Sequence, residues 1–475
     1  MTALAACILG LGVFGGIQKP ICAADRPNIL IIIADDATYS DLPLYGGKNV
    51  QTPNIDRLGS QGLVFDQAFV TEAMCQPCRS ELYTGLYPIA NGCCWNHSAS
   101  RTGVRSMPHY LTPLGYRVGL AGKVHVRPKS VFPFEDVPGL EPNCVSPTVR
   151  FDLAGCREFV TRNDEEPFCL VTALVVPHVV WTAGDPSHFD PESFDLPPHV
   201  ADTPVSRQDF ARYLAEIEVL DQQVGEILKM LDETGHAEDT IVVFTSEQGA
   251  QFPGCKWTVW NQGVHTALIV RWPGKVKPGR RTAALVQYAD VLPTLLDAVG
   301  ADYSREVFDG RSFLPVLLGQ SDEHREYAFF MHNNVPEGPP YPIRGVTDGK
   351  YRYVRNLLPD RIYIEKHVMG VPEHNPYWNS WLMASAQDEA TYRLIERYMR
   401  RPAEELYCTQ DDPFEMTNLA SDPKYAEVKQ RLSRALDRWL AQQRDPGACI
   451  DSTEQLQAAR RGRHFIGTEA ERPRD

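Results

Sequence analysis

The run Asn28-Ile29-Leu30-Ile31-Ile32-Ile33-Ala34 constrains this chain more than any other stretch. After Asn28 it offers no polar side chain to turn toward water at alternate positions, so it reads as a strand buried on both faces of a parallel sheet. It ends in Asp35-Asp36. Phe168 to Val176 and Thr240 to Thr245 repeat the style. Between those two, Phe210, Tyr213, Leu214, Ile217, Leu220, Val224, Ile227, Leu228 and Leu231 recur at three- and four-residue steps, which predicts a long amphipathic helix. Ser206 with Asp209 reads as its capping box and Gly235 as its stop. A helix feeding a buried strand is half of a βαβ unit, so the expected class is α/β with a large, mostly parallel sheet. Functional residues then belong at the carboxyl ends of the strands.

After about residue 322 the texture changes to short strand-like runs, Tyr327–Met331, Ile343–Thr347, Tyr351–Asn356 and Leu406–Thr409, with Asp348-Gly349 as a hairpin turn. A smaller antiparallel α+β domain with an amphipathic helix near 424–443 is expected. The predicted organisation is a leader at 1–24, a large α/β domain at 25–321, a C-terminal subdomain at 322–450 and a polar, loosely held tail at 451–475. A chain of 475 residues exceeds one compact core, which agrees with more than one unit.

Residues 3–17 form an uncharged apolar run, too short to span a bilayer but suited to a secretory leader, with Ala23-Ala24 as a cleavage site. Export to the periplasm or medium is expected, or lipidation at Cys7 if the true start lies upstream. The net charge is −14, from 61 acidic and 47 basic residues, and loss of Lys19 with the leader makes it −15. That balance excludes a nucleic-acid binder, and an anionic substrate must be gripped by a local cationic pocket. The 12 cysteines lack paired zinc spacing, and in an exported chain some disulfides are expected.

Several polar groups sit where a strand ends or a helix begins. Asp35-Asp36 serves as a helix cap or as oxygen ligands for a hard cation. Cys75-Gln76-Pro77-Cys78 suggests either a thioredoxin-like redox pair or a structural disulfide partner. Lys123 and His125 lie in Gly122-Lys123-Val124-His125, and His178 follows Pro177 just past a buried run. Each taken singly is as well explained as a solvated or capping residue.

Together they carry a resemblance. Cys75-x-Pro77-x-Arg79 followed by Thr84-Gly85, Gly122-Lys-x-His125, the aspartate pair, and Phe244-Thr245-Ser246-Glu247-Gln248-Gly249 with Lys256 downstream resemble the type I sulfatases of the alkaline phosphatase superfamily. The family's Thr-Ser-Asp-Asn-Gly element has here become Ser246-Glu247-Gln248, with both side chains one methylene longer. The likeness runs from Arg26 to about Ile450. Gly122 to Phe134, Tyr341-Pro-Ile-Arg344, Glu405-Leu-Tyr407 and Asp412 to Leu419 are similar to the heparan N-sulfatase (sulfamidase) branch and its bacterial relatives.

The resemblance implies that Cys75 is converted by a maturation enzyme to formylglycine, whose hydrate attacks sulfur and leaves a covalent sulfo-enzyme. One Ca²⁺ would be held by Asp35, Asp36, Glu247, Gln248 and the matured Cys75. Lys123 and Lys256 would clamp the sulfuryl oxygens, and Arg79 would steady the hydrate and orient the metal ligands. His178 would protonate the leaving amine or alcohol, and His125 would deprotonate the second hydroxyl. Arg344, His332, Trp95, Asn96 and His97 are candidates for the pocket rim. The branch implies a sulfated saccharide, the N-sulfate of a non-reducing-end glucosamine, attacked by an exo-acting enzyme. The alternatives are an O-sulfatase on a related glycan, a phosphodiesterase or phosphonate monoester hydrolase, and a catalytically silent glycan-binding protein suggested by Glu247-Gln248. A homodimer is left open, and no integral membrane segment is expected in the mature chain.

Overall fold

The computed structural model describes residues 26–370, 376–460, 464–466 and 469–472. The leader, with Cys7 and Cys22, lies outside them. The apolar run forms β1 (Asn28–Ala34), and Ile29 to Ala34 are fully buried, because neighbouring strands and layers cover both faces. The other strands of its sheet are β2 (Leu63–Phe69), β3 (Arg117–Gly122), β4 (Glu135–Val137), β5 (Phe168–Ala173), β6 (Thr240–Ser246), β7 (His265–Arg271), β8 (Arg280–Thr282) and β9 (Val286–Gln287). They lie in the order β4-β3-β5-β1-β6-β7-β2-β8, with β9 beside β2. Only β7 runs against its neighbours. The expected α/β class with a mostly parallel sheet is therefore the observed one.

The parallel register aligns the strand ends: Ile33 pairs with Ala173 of β5, Ala34 with Ser246 of β6, and Gly122 of β3 with Ala173. Backbone bonds continue past them, from Lys123 N to Ala173 O at 2.9 Å, Asp35 N to Val176 O at 3.1 Å and Glu247 N to Ala34 O at 3.0 Å. Gly122, at φ 90°, lets this happen, since a Cβ there would sit 2.2 Å from Ala173 O.

The long helix spans Pro204–Glu233. Its cap is Thr203, whose side chain accepts from Ser206 N, and not Ser206 itself. Proline at the first helical position fixes that choice, since its missing N–H needs no partner there. Gly235 takes the expected left-handed conformation, at φ 82°.

A separate antiparallel sheet holds β10 (Ala328–His332), β11 (Ile343–Thr347), β12 (Tyr351–Asn356) and β13 (Glu404–Cys408) in that order. The helix Ala426–Gln443 packs on β11 and β12, and its Trp439 stacks on Phe329 at 5.0 Å. This sheet reaches the site through β10, where Met331 N donates to Thr71 O at 2.9 Å and Asn333 N to Glu72 Oε1 at 3.1 Å. The tail is better held at its root than its composition suggests. Asp451 accepts from Asn334 N, Val335 N and Tyr341 N, fixing the loop after β10, and a helix follows at Thr453–Arg460. The expected disulfides are absent among the described residues, whose ten cysteines are all free thiols. No described helix is long and apolar enough to cross a membrane.

Candidate active site

The loops that leave β1, β2, β3, β5 and β6 converge on one edge of the sheet, the carboxyl edge where parallel α/β folds bind ligands. Cys75 opens a helix, Cys75–Thr84, every residue of which is buried, so the helix N-terminus and its positive dipole end point into the site. Cys75 Sγ lies 3.6 Å from Asp35 Oδ1 and 3.8 Å from Asp36 Oδ1. Lys123 Nζ meets Asp35 Oδ2 at 2.5 Å, and Lys256 Nζ meets Asp36 Oδ2 at 2.6 Å. Gln248 Nε2 donates to Asp36 Oδ1 at 2.6 Å and to Cys75 Sγ at 3.2 Å. Arg79 pairs through Nε with Glu247 and donates through Nη1 to Lys123 O at 2.7 Å. His178 Nε2 stands 3.5 Å from Asp36 Oδ2, and its Nδ1 bonds Val179 O.

Burial works against charge throughout the site: the lysines and Asp35 keep theirs through their partners, whereas burial holds the Glu247 carboxyl well above its ordinary value despite Arg79. Burial pulls on Lys123, but Asp35 beside it lifts its pKa well above the usual lysine range. Lys256 is raised in the same way by Asp36 against the same burial. Burial likewise opposes the Asp35 carboxylate, which Lys123 and His178 nevertheless hold well below its ordinary value. The two histidines diverge. His178 is lifted, since Asp36 and Asp35 outweigh burial and Lys256, whereas burial and Lys123 push His125 well below its usual value. His125 Nδ1 is buried without a hydrogen-bond partner.

The thioredoxin-like alternative fails here. Burial pushes the Cys75 thiol up and the Cys78 thiol well above its ordinary value, whereas a redox cysteine needs a stabilised thiolate. The cation reading fares better. Asp35, Asp36, Glu247 and Gln248 bring hard oxygen donors together beside Cys75, and Gln248 Oε1 is buried without a partner. An amide has its oxygen and nitrogen ends nearly interchangeable, so a half-turn of the side chain presents that oxygen to a cation. The donor set fits Ca²⁺ or a similar hard cation despite the added methylenes. Gly249 after them is obligatory: a Cβ there would lie 1.9 Å from Gln262 O.

A cavity of about 550 Å³ opens over this floor, within the range typical of small-ligand sites. Cys75, Lys123, His125, His178 and Lys256 line it together with Asn96 and His97 from the expected rim. Three rim candidates are elsewhere. Trp95 is buried in the core. Arg344 is fully buried, pairing with Asp445 and donating to Asn333 Oδ1 at 3.2 Å. His332 is fully buried near Tyr363, its pKa lowered by burial to about 3. Their strand, β11 for Arg344 and β10 for His332, turns them into the seam between the two sheets. The cavity also takes Asn143, Cys144, Gln251, Trp257 and His367, none of which the sequence singled out. Burial opposes ionisation of Cys144, yet Lys123 and His178 bring its thiol down to about 7. No local pattern announces these residues, which come from three separate segments, the last of them the short helix Lys366–Met369.

Buried lysines balanced against carboxylates, two histidines of opposite titration bias and Cys75 at a helix N-terminus make a cavity floor suited to an oxyanion group. Residues 27–301 match the sulfatase family model, and the chain belongs to that family. Residues 255–361 match the model of the C-terminal region of N-sulphoglucosamine sulphohydrolase, close to the sulfamidase branch. An ulvan-active sulfatase of Formosa agariphila is 31% identical over 432 residues, 90% of this chain and 83% of the relative. Human N-sulphoglucosamine sulphohydrolase is 30% identical over 478 residues, 90% of this chain and 93% of its own. Among solved structures, one bound to its substrate D-glucosamine-2-N,6-O-disulfate superposes with a TM-score of 0.68 at 19% identity, covering 89% of this chain and 99% of the other. The phosphonate monoester hydrolase of Agrobacterium radiobacter gives 0.64 at 20% identity, covering 88% and 96%. At those identities the two structures testify to the fold. This chain is an enzyme, a hydrolase of the sulfate ester and sulfamate class.

Proposed function

We propose that the protein is an exported, exo-acting sulfatase that removes sulfate from a short sulfated saccharide, the N-sulfate of a terminal glucosamine in the first instance. The observation that carries this is the convergence of Cys75, Lys123, Lys256 and His178 on one cavity of saccharide size. The similarity to a sulphohydrolase named for N-sulphoglucosamine supports the choice of substrate. The equally similar ulvan-active sulfatase supports O-sulfate hydrolysis on a related glycan as the second reading.

A sulfate ester or sulfamate repels nucleophiles until its oxygens are neutralised. Lys123, paired with Asp35, and Lys256, paired with Asp36, both line the cavity with Cys75 and would supply that neutralisation by moving from the aspartates onto the sulfuryl oxygens. Asp35, Asp36, Glu247 and Gln248 would hold a divalent cation, and Cys75 would be matured to formylglycine. Those groups would supply further charge and a hydrated aldehyde oxygen as nucleophile. Arg79 keeps Glu247 in place through its ion pair and ties that loop to Lys123. His178, proton held by the aspartates, is placed to protonate the departing amine or alcohol. His125, kept neutral, is placed to accept a proton afterwards.

The decisive experiment is a panel of N-, 2-O-, 3-O- and 6-O-sulfated glucosamine and uronate saccharides, scored for free sulfate with protein matured alongside its formylglycine-generating enzyme. Release from N-sulfoglucosamine above the O-sulfates is expected. Faster turnover of a phosphodiester than of every sulfate would reject the proposal, as would sugar binding without any sulfate release.

A further inference from the structure

One wall of the cavity is built from side chains to which sulfate chemistry assigns no task. His97 and His367 both line it, and behind them lies Glu337, 1% exposed. Glu337 Oε2 accepts from His367 Nε2 at 2.7 Å and pairs with Lys366 Nζ at 2.9 Å. Its other oxygen, Oε1, faces His97 Nε2 at 3.7 Å, beyond hydrogen-bond reach, and is buried without any hydrogen-bond partner. The wall continues both ways. The His97 ring lies 5.4 Å from that of His125, while the His367 ring stacks on Trp257 at 5.5 Å, with Lys256 Nζ 4.8 Å over the indole. It therefore runs from a proton-handling histidine to a sulfate-gripping lysine.

A buried carboxylate oxygen left unpaired is costly, and a ligand that donates a hydrogen bond relieves the cost. Sulfate cannot do so, being an acceptor that the carboxylate repels. A cation is a poor answer too. Glu337, Glu365 and His367 do bring three ligand atoms within 4.8 Å of one another. Yet Glu365 is committed to the backbone N–H groups of His367 and Val368, and Lys366 already neutralises Glu337. A hydroxyl satisfies both demands, since it can donate to Glu337 Oε1 and accept from the neighbouring imidazole. The loop carrying Glu337 is itself fixed by Asp451, so the oxygen is held ready.

We propose that His97, Glu337 and His367 form the subsite that reads the ring hydroxyls of the sugar bearing the sulfate, with Glu337 as the residue that distinguishes a saccharide from a bare sulfate. This rests on the saccharide sulfatase reading. The test uses the full chain with Cys75→Ala, which removes the nucleophile, and calorimetric titration with N-sulfoglucosamine, glucosamine 6-sulfate and sodium sulfate. The parent should bind a saccharide at least about tenfold tighter than sulfate. Glu337→Gln and, separately, His367→Ala should each cut that preference by about tenfold while sulfate affinity moves less than twofold. His367 is 35% exposed, so its replacement leaves the core intact even if the buried change does not fold. Parallel loss of sulfate and saccharide affinity, an unchanged preference in the His367 variant, or a parent without preference each overturns the subsite. Sugar preference that tracks these residues in a protein whose mature form releases no sulfate would refute the sulfatase reading alone.

Discussion

At the scale of single residues, the site is a set of charges that exist only in pairs. Under the proposed function Cys75 is the residue to be matured to an aldehyde, and a methyl group there offers no thiol to convert. Cys75→Ala should lower sulfate release by about a thousandfold or more with an unchanged circular dichroism spectrum. Glu216 offers a titration outside the paired charges, behind the loop that follows His178. Its Oε1 accepts from Thr182 N at 2.8 Å and Ala183 N at 2.9 Å, and burial lifts its pKa from 4.5 to about 8. Below pH 4.5 folded and unfolded chains both hold the proton; between there and about 8 the unfolded chain releases it first, so stability falls as pH rises. Glu216→Gln keeps the accepting oxygen and removes the titration. It should gain about 1 to 3 kcal/mol at pH 8 and nothing at pH 4, read from urea midpoints at the two values. An equal shift at both would discard the account. Residue identity also sets what could be read in advance. The motif positions were legible because catalysis demands particular atoms. Arg344 was misread because a polar residue in a short strand looks solvent-facing, and its partner Asp445 lies a hundred residues further on.

At the scale of elements, periodicity carried most of the reading. The stretches expected as β1, β11 and β12 form strands over those same residues: β1 and β11 each run between a Pro and an Asp, and the Asp348-Gly349 turn sets where β12 begins. The long helix was legible from its apolar stripe, but its start was placed on the wrong capping residue. Thr203 and Ser206 are both good caps, and Thr203 Oγ1 settles the matter by also meeting Ser380 Oγ at 2.7 Å from another helix. Thr203→Ala should therefore cost about 1 kcal/mol, seen as a lower urea midpoint with an unchanged slope. Loops resisted prediction for the opposite reason. Cys144, Trp257 and His367 meet only because β3, β5, β6 and the second sheet are folded around one another, and no spacing along the chain encodes that meeting.

For the whole molecule, a net charge of −14 surrounds a cavity floor whose two lysines are balanced against carboxylates. Long polyanions meet the outer field first, so the chain should pass a heparin column at low salt without retention. Tight, salt-sensitive retention would contradict an enzyme for short saccharides. The oxygen cluster predicts a second global response. Ca²⁺ at about a hundred times its Kd should raise stability by about 2.7 kcal/mol, visible as a higher Tm that a chelator reverses. A Tm indifferent to Ca²⁺ and other hard divalent cations would remove the metal from the mechanism.

The backbone bonds from Lys123 to Ala173, Asp35 to Val176 and Glu247 to Ala34 lace four strand ends into one hem. Four loops of separate sequence origin thus share a single edge, which should open and close as a unit. Amide hydrogen exchange at Lys123, Asp35 and Glu247 should slow together when any ligand occupies the floor, even one touching a single loop. Occupancy of the site would then be recorded in the solvent exchange of backbone groups that never meet the ligand.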